Sequence, residues 1–170
     1  MRVFPTNPEE IYRKGRTVLF LEQTSRNPAV IFDLDMTLLY FRETDDFAEE
    51  KRTYIIPVPP MISLWNMAKQ MGYKCYIITA RTDMDFTIRH LNKIGVYGWE
   101  AVFVRENDNT CPWVSKAEAR DWVYSRHTVA LNVGDSVWDI GRDASTEFAG
   151  GIEPDPEPVA SFLVNTIMMV

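Results

Sequence analysis

The sequence predicts an α/β fold, a doubly wound parallel sheet with helices on both faces, and three observations lead there. Short apolar runs recur at Ala29 to Phe32, Tyr73 to Ile78, Ala101 to Val104 and Thr128 to Val133. Helical patterns separate them, which is the alternation that crossover connections between parallel strands require. Polar residues stand directly behind these runs, at Asp33, Thr79 and Asp135, where strands of an open α/β sheet emerge into solvent and ligands bind.

Taken in order, Asn7-Pro8-Glu9-Glu10 supplies an N-cap, a proline for the first helical position and acidic residues for the first turn. A helix is expected from about Pro8 to Gln23. Ala29-Val30-Ile31-Phe32, bounded upstream by Asn27-Pro28, reads as a fully buried strand that ends at Asp33. The stretch from Leu39 to Tyr54, with Glu43, Asp45, Asp46, Glu49 and Glu50, suggests an exposed flap or short hairpin whose charges form a solvated surface. After the punctuation of Pro57, Pro59 and Pro60, the residues Met61, Leu64, Trp65, Ala68 and Met71 recur at helical spacing, and Gly72 closes the segment. Tyr73 to Thr79 is the second strand, Asp83 to Asn92 a helix closed by Gly95, and Ala101 to Val104 the third strand. A polar loop from Arg105 to Pro112 leads to a helix from about Ser115 to Tyr124, and Thr128 to Val133 is the fourth strand. Beyond the prolines at 154, 156 and 158, the apolar segment from Ser161 to Val170 suits a strand or a packed helix.

At 170 residues the chain is expected to fold as one domain over 1–170, with 1–28 as a helical extension packed on the core and 39–58 as a small flap. Apolar content of 46% and charged content of 25% exclude a disordered or fibrous chain. The net charge of -6 disfavours nonspecific binding of long nucleic acid. Cys75 and Cys111 offer neither a disulfide framework nor metal-ligand spacing. The N-terminus lacks an apolar secretory core and no run is long enough to span a bilayer, so a soluble, cytoplasmic protein without membrane partners is expected.

The string Asp33-Leu34-Asp35-Met36-Thr37 places two carboxylates and a hydroxyl at the mouth of the first strand. Carboxylates two residues apart repel and are costly to desolvate unless a cation or a proton intervenes, which suits metal binding and acid/base work; an acidic solvated turn is the plain alternative. Thr79 ends the next strand, Lys116 opens a later helix, and the last strand delivers Gly134-Asp135-Ser136-Val137-Trp138-Asp139. Asp135 and Asp139, four apart, share a face if a helical turn begins there, and Gly134 permits close backbone approach.

This ordered series resembles the haloacid dehalogenase-like hydrolase superfamily, whose motifs are Asp-x-Asp-x-Thr, a strand-terminal Ser or Thr, a Lys, and Gly-Asp with a second Asp a few residues on. The likeness covers about Ala29 to Asp139. It implies a Rossmann-like sheet and a magnesium-dependent phosphatase with Asp33 as nucleophile and Asp35 as general acid and base. The implied Mg2+ ligands are the Asp33 side chain, the Asp35 backbone carbonyl and the Asp135 side chain, with Asp139 binding through water or orienting the others. Thr79 and Lys116 then hold the phosphoryl group, joined by the adjacent Ala80 and Arg81. From the residues alone, Arg81 suits either a substrate contact or a surface ion pair with Asp83 or Asp85. The second aspartate favours phosphatases and mutases over the superfamily's dehalogenases and ion pumps.

Thr37 to Pro60 and Arg105 to Ser115 are too short for a cap domain with its own core, so the site is expected to be open. An open site suits a macromolecular phosphate, or a small substrate enclosed by oligomerisation. Lys116-Ala117-Glu118-Ala119-Arg120 with Gly134-Asp135 and Asp139 is similar to the acid phosphatase and vegetative storage protein branch. Thr79-Ala80-Arg81 and Val102 to Arg105 are similar to the phosphatase domain of polynucleotide kinase-phosphatases; the carboxy-terminal-domain phosphatases of RNA polymerase share the Asp-Leu-Asp-x-Thr-Leu string. Nucleic acid enters only as a substrate, and a noncatalytic phosphate-binding module or a phosphotransferase are the rival classes. Trp138 suits the pocket or packing, the other tryptophans suit the core or partly buried surface, and His90 and His127 read as structural.

Overall fold

The computed structural model describes residues 5–43, 53–136, 139 and 160–164. In chain order the elements are β1 (Pro5–Thr6), α1 (Pro8–Glu22), β2 (Pro28–Phe32), β3 (Leu39–Glu43), β4 (Thr53–Pro57), α2 (Pro59–Gln70), β5 (Lys74–Ile78), α3 (Met84–Lys93), β6 (Ala101–Phe103), α4 (Pro112–Tyr124), β7 (Thr128–Gly134) and β8 (Ala160–Val164). Six strands form one sheet in the order β1-β8-β7-β2-β5-β6, and every neighbouring pair is parallel. β3 and β4 form a separate antiparallel hairpin.

Apolar side chains alternate across the sheet, as a pleated strand buried on both faces dictates. Val30 and Phe32 of β2 join Cys75, Ile77, Leu131 and Val133 in the larger core. Ile11 and Leu19 of α1, Met61, Leu64 and Trp65 of α2 and Leu91 of α3 close that face. Ala29, Ile31, Tyr76, Ile78 and Val129 point the other way and meet Ala119 and Val123 of α4. The sheet is therefore covered on both sides, as the sequence predicts.

Asn7 caps α1, its Oδ1 accepting from the Glu10 amide at 2.8 Å, and the buried residues Ile11, Gly15 and Leu19 form a single stripe at i, i+4, i+8. Gly15 permits α1 to lie close on α2, since a Cβ there would sit 2.9 Å from Leu64 Cδ2. Gly72 and Gly95 follow α2 and α3 with φ of 87° and 79°, the left-handed cap that glycine adopts without strain.

The structure corrects the expected start of α4. It begins at Pro112, three residues before Ser115, because a proline suits the first helical position here as it does at Pro8 and Pro59. Lys116 consequently sits in the second turn instead of opening the helix. The C-terminal segment resolves as a strand over Ala160–Val164, with residues 165–170 outside those described. The flap is a hairpin in register Phe41 to Ile55, and both side chains pack on the core; Asp45, Asp46, Glu49 and Glu50 lie outside the described residues. Among the described residues no helix is long and apolar enough to cross a membrane. Cys75 is buried, Cys111 is exposed, and both are free thiols.

Candidate active site

Three adjacent strands end together. Phe32 of β2 is level with Ile77 of β5 and Val133 of β7, so the residues that follow each strand meet at one edge. Main-chain pairing continues past the strands, with the Asp33 amide donating to Val133 O and the Thr79 amide to Phe103 O, both at 2.9 Å. The chain then turns sharply. Leu34 O accepts from the amides of Thr37, Leu38 and Leu39, and Met36 adopts φ 60°, a strained left-handed conformation for a residue with a side chain. Thr37 returns its hydroxyl to Asp33 Oδ2 at 3.2 Å.

Lys116 reaches this edge from α4. Its buried ammonium donates to Asp33 Oδ1 at 2.8 Å and to Asp139 Oδ1. Asp139 is held in turn by the Asp135 and Ser136 amides, which donate to its Oδ2 at 3.2 and 2.9 Å. Glycine is required at 134, since a Cβ would fall on Asp139 Cβ and lie 2.7 Å from its Oδ2.

Asp33, Asp135 and Asp139 present carboxylate oxygens within 4.8 Å of one another. Burial, and then the Asp139 charge, push the Asp33 carboxyl well above its ordinary range, with Lys116 opposing. Asp135 is raised as well, first by burial, with its hydrogen bond to Asp33 opposing and Asp139 adding to the rise. Burial alone would pull Lys116 down, yet the carboxylates of Asp33 and Asp139 outweigh it and hold the ammonium charged. One ammonium faces three carboxylates, so the cluster carries more negative charge than it neutralises. An all-oxygen donor set with that excess fits a hard divalent cation.

A second group lines the open side. Arg81 grips Asp35 with two parallel bonds, Nη2 to Oδ1 at 2.6 Å and Nε to Oδ2 at 2.9 Å. Its Nη1 lies 2.8 Å from His90 Nδ1. The partner of Arg81 is therefore Asp35 rather than Asp83 or Asp85; Asp83 instead caps α3, its Oδ1 accepting from the Phe86 amide at 2.9 Å. Thr79 is buried and its Oγ1 accepts from the Arg81 amide at 3.2 Å. Ala80 O accepts from Arg105 Nε at 2.8 Å. A cavity of about 370 Å³ opens beside Asp35, lined by Phe41, Ala80, Arg81, Phe86, His90 and Arg105 among others.

The structure thus gathers Asp33, Asp135, Asp139 and Lys116 in direct contact and sets Asp35, Thr79, Ala80 and Arg81 on the neighbouring strand ends. Trp138 lies outside the described residues. His127 stands apart from this edge, bonded to the Tyr76 hydroxyl at 2.7 Å and packed on its ring. Sequence reasoning missed the Ser136 amide, which no side-chain pattern reveals, and the contact of His90 with Arg81. The nine-residue offset between those two carries no helical signal, because Arg81 precedes α3.

Residues 9–151 match the model of a family described as HAD superfamily, subfamily IIIB (acid phosphatase). No curated protein sequence matches the chain. Two solved structures of a Pnkp1/Rnl/Hen1 complex, one described as an RNA repair complex, share the fold at a TM-score of 0.58 each. One is 21% identical and is matched over 84% of this chain and 48% of its own; the other is 22% identical, over 82% and 44%. The chain thus spans about half the length of those relatives. The family match takes in every strand from β2 to β7 and all the residues gathered at their ends, and on that ground the chain belongs to the haloacid dehalogenase superfamily, subfamily IIIB, the acid phosphatases.

Proposed function

We propose that the chain, acting as one domain over residues 1–170, is a magnesium-dependent phosphomonoesterase that works through an aspartyl-phosphate on Asp33. The observation that supports this most directly is the Lys116 ammonium 2.8 Å from Asp33 within a cluster of three carboxylates. A carboxylate can attack a phosphate dianion only where positive charge offsets their repulsion.

In this reading an Asp33 oxygen bonds to phosphorus as the ester oxygen departs, and Asp35 gives that oxygen its proton. Lys116 neutralises charge on the attacking carboxylate and the phosphoryl oxygens, and the Thr79 hydroxyl donates to one of those oxygens. Asp35, now a base, takes a proton from water as the water oxygen attacks phosphorus, releasing phosphate and restoring Asp33. Magnesium, held by the Asp33 and Asp135 side chains and the Asp35 carbonyl, supplies charge neutralisation. Asp139, engaged by Lys116 and two amides, orients its neighbours.

The cavity beside Asp35 carries the Phe86 ring, 42% exposed, and suits a nucleotide or nucleic-acid end whose base stacks there. Phosphate release from aryl phosphate, nucleotides, phosphopeptides and 3'-phosphorylated oligonucleotides tests both activity and class. Release is expected only with magnesium, and acid-quenched protein should carry one phosphoryl group at Asp33. Asp33→Asn should lower turnover by at least about 10³-fold. Turnover indifferent to chelator, or substantially retained by Asp33→Asn, would refute the mechanism and leave a noncatalytic phosphate-binding module as the better reading.

A further inference from the structure

We propose that His90 is a positioning residue that sets the orientation of Asp35 through Arg81. The inference rests on the reading of Asp35 as the general acid.

Guanidinium groups only donate, so the 2.8 Å contact makes His90 Nδ1 an acceptor and leaves the imidazole neutral, with its proton on Nε2. Burial, and then the Arg81 charge, favour that same neutral form. A guanidinium is a planar, rigid fork. Anchoring Nη1 therefore fixes the plane of the whole group and the direction of the Nε and Nη2 edge that clasps Asp35. The carboxylate keeps a second lone-pair direction on each oxygen, and the Asp35 side chain remains 28% exposed on the cavity side, so the clasp aims the acid without masking it.

His90 is itself held firmly. It is buried on α3, whose first turn is closed by Asp83 through the Phe86 amide and by the Thr87 hydroxyl on Asp83 O at 2.6 Å. Leu91, beside it, is locked in the core, and the Phe86 ring lies 4.1 Å from the imidazole centroid. Asp35, in contrast, belongs to the strained turn around Met36. A rigid helix thus fixes an acid borne by a turn.

The test uses leaving groups, because a poor one needs protonation and a good one does not. With magnesium present, kcat/KM is measured for an alkyl phosphate and for dinitrophenyl phosphate; this ratio reports only steps up to leaving-group departure. His90→Phe keeps a ring against Phe86 but removes the acceptor, whereas His90→Asn restores an acceptor near the Nδ1 position. His90→Phe should lose about tenfold or more on the alkyl phosphate and less than about threefold on the dinitrophenyl ester, because misaiming an acid forfeits part of its 10²–10⁴-fold effect. His90→Asn should recover most of the loss; His90→Leu replaces His90→Phe if the ring does not fold. Equal losses on both substrates, no loss on either, or an Asn variant no better than Phe would overturn the inference. Asp35→Asn run alongside separates the two levels: if it loses both substrates equally in an otherwise active enzyme, the reading of Asp35 falls and this inference falls with it.

Discussion

Gly134 shows how little room a single residue has at this edge. A methyl there collides with Asp139, and Asp139 can retreat only by breaking its bonds to Lys116 and to two amides. Gly134→Ala should cost about 1–3 kcal/mol of stability as overpacking and lower turnover by roughly 10²-fold through displacement of the cluster; thermal unfolding and phosphate release check both. His90 makes a second prediction at this scale. Its pKa lies below the ordinary histidine value in the fold, so the native state binds this proton less readily than the unfolded chain. Stability from this group is complete above that value and is lost as pH falls through and below it. Tm measured from neutral pH to pH 5 should therefore fall faster for the wild type than for His90→Asn, and parallel curves would contradict the assignment. Asp33, Asp135, Asp139 and Lys116 were legible because motif order and strand ends are both written in the sequence. The Asp35 to Arg81 clasp was not, since it joins residues 46 apart whose meeting depends on β2 and β5 being neighbours.

Among the elements, the buried strands were the clearest because unbroken apolar runs admit few alternatives. Proline misled at the start of α4: it reads as a loop residue, yet at the first helical position its missing N–H costs nothing. β1 escaped, and β8 stayed open between strand and helix, for another reason. One has two residues and the other follows a proline series, so neither displays a period long enough to recognise. Gly15 tests how α1 sits on α2. Replacing an ordinary helical glycine stabilises by about 1 kcal/mol, but here a β-branched side chain must push into Leu64. Gly15→Val should destabilise by about 1–3 kcal/mol, read from urea unfolding, with the carboxylate cluster unaltered.

For the whole molecule, the acidic cluster should link stability to a divalent cation. A ligand that binds only the folded state at a hundred times its Kd adds about 2.7 kcal/mol, roughly 5–10 °C in Tm for a chain of this size. Magnesium should raise Tm by that order and a chelator should reverse it. Asp135→Asn should abolish the response and, without magnesium, should melt above the wild type, because one of three mutually repelling carboxylates is gone.

Strand order also decides when β1 can find its partner. Pro5 pairs with Leu163, so β1 has no partner until β8 has left the ribosome. Until then the edge of β7 that β8 will occupy stays bare, and Pro5–Thr6 waits unpaired while the centre assembles. Pairing of β1 with β8 is thus a late, long-range event that closes one margin of the sheet.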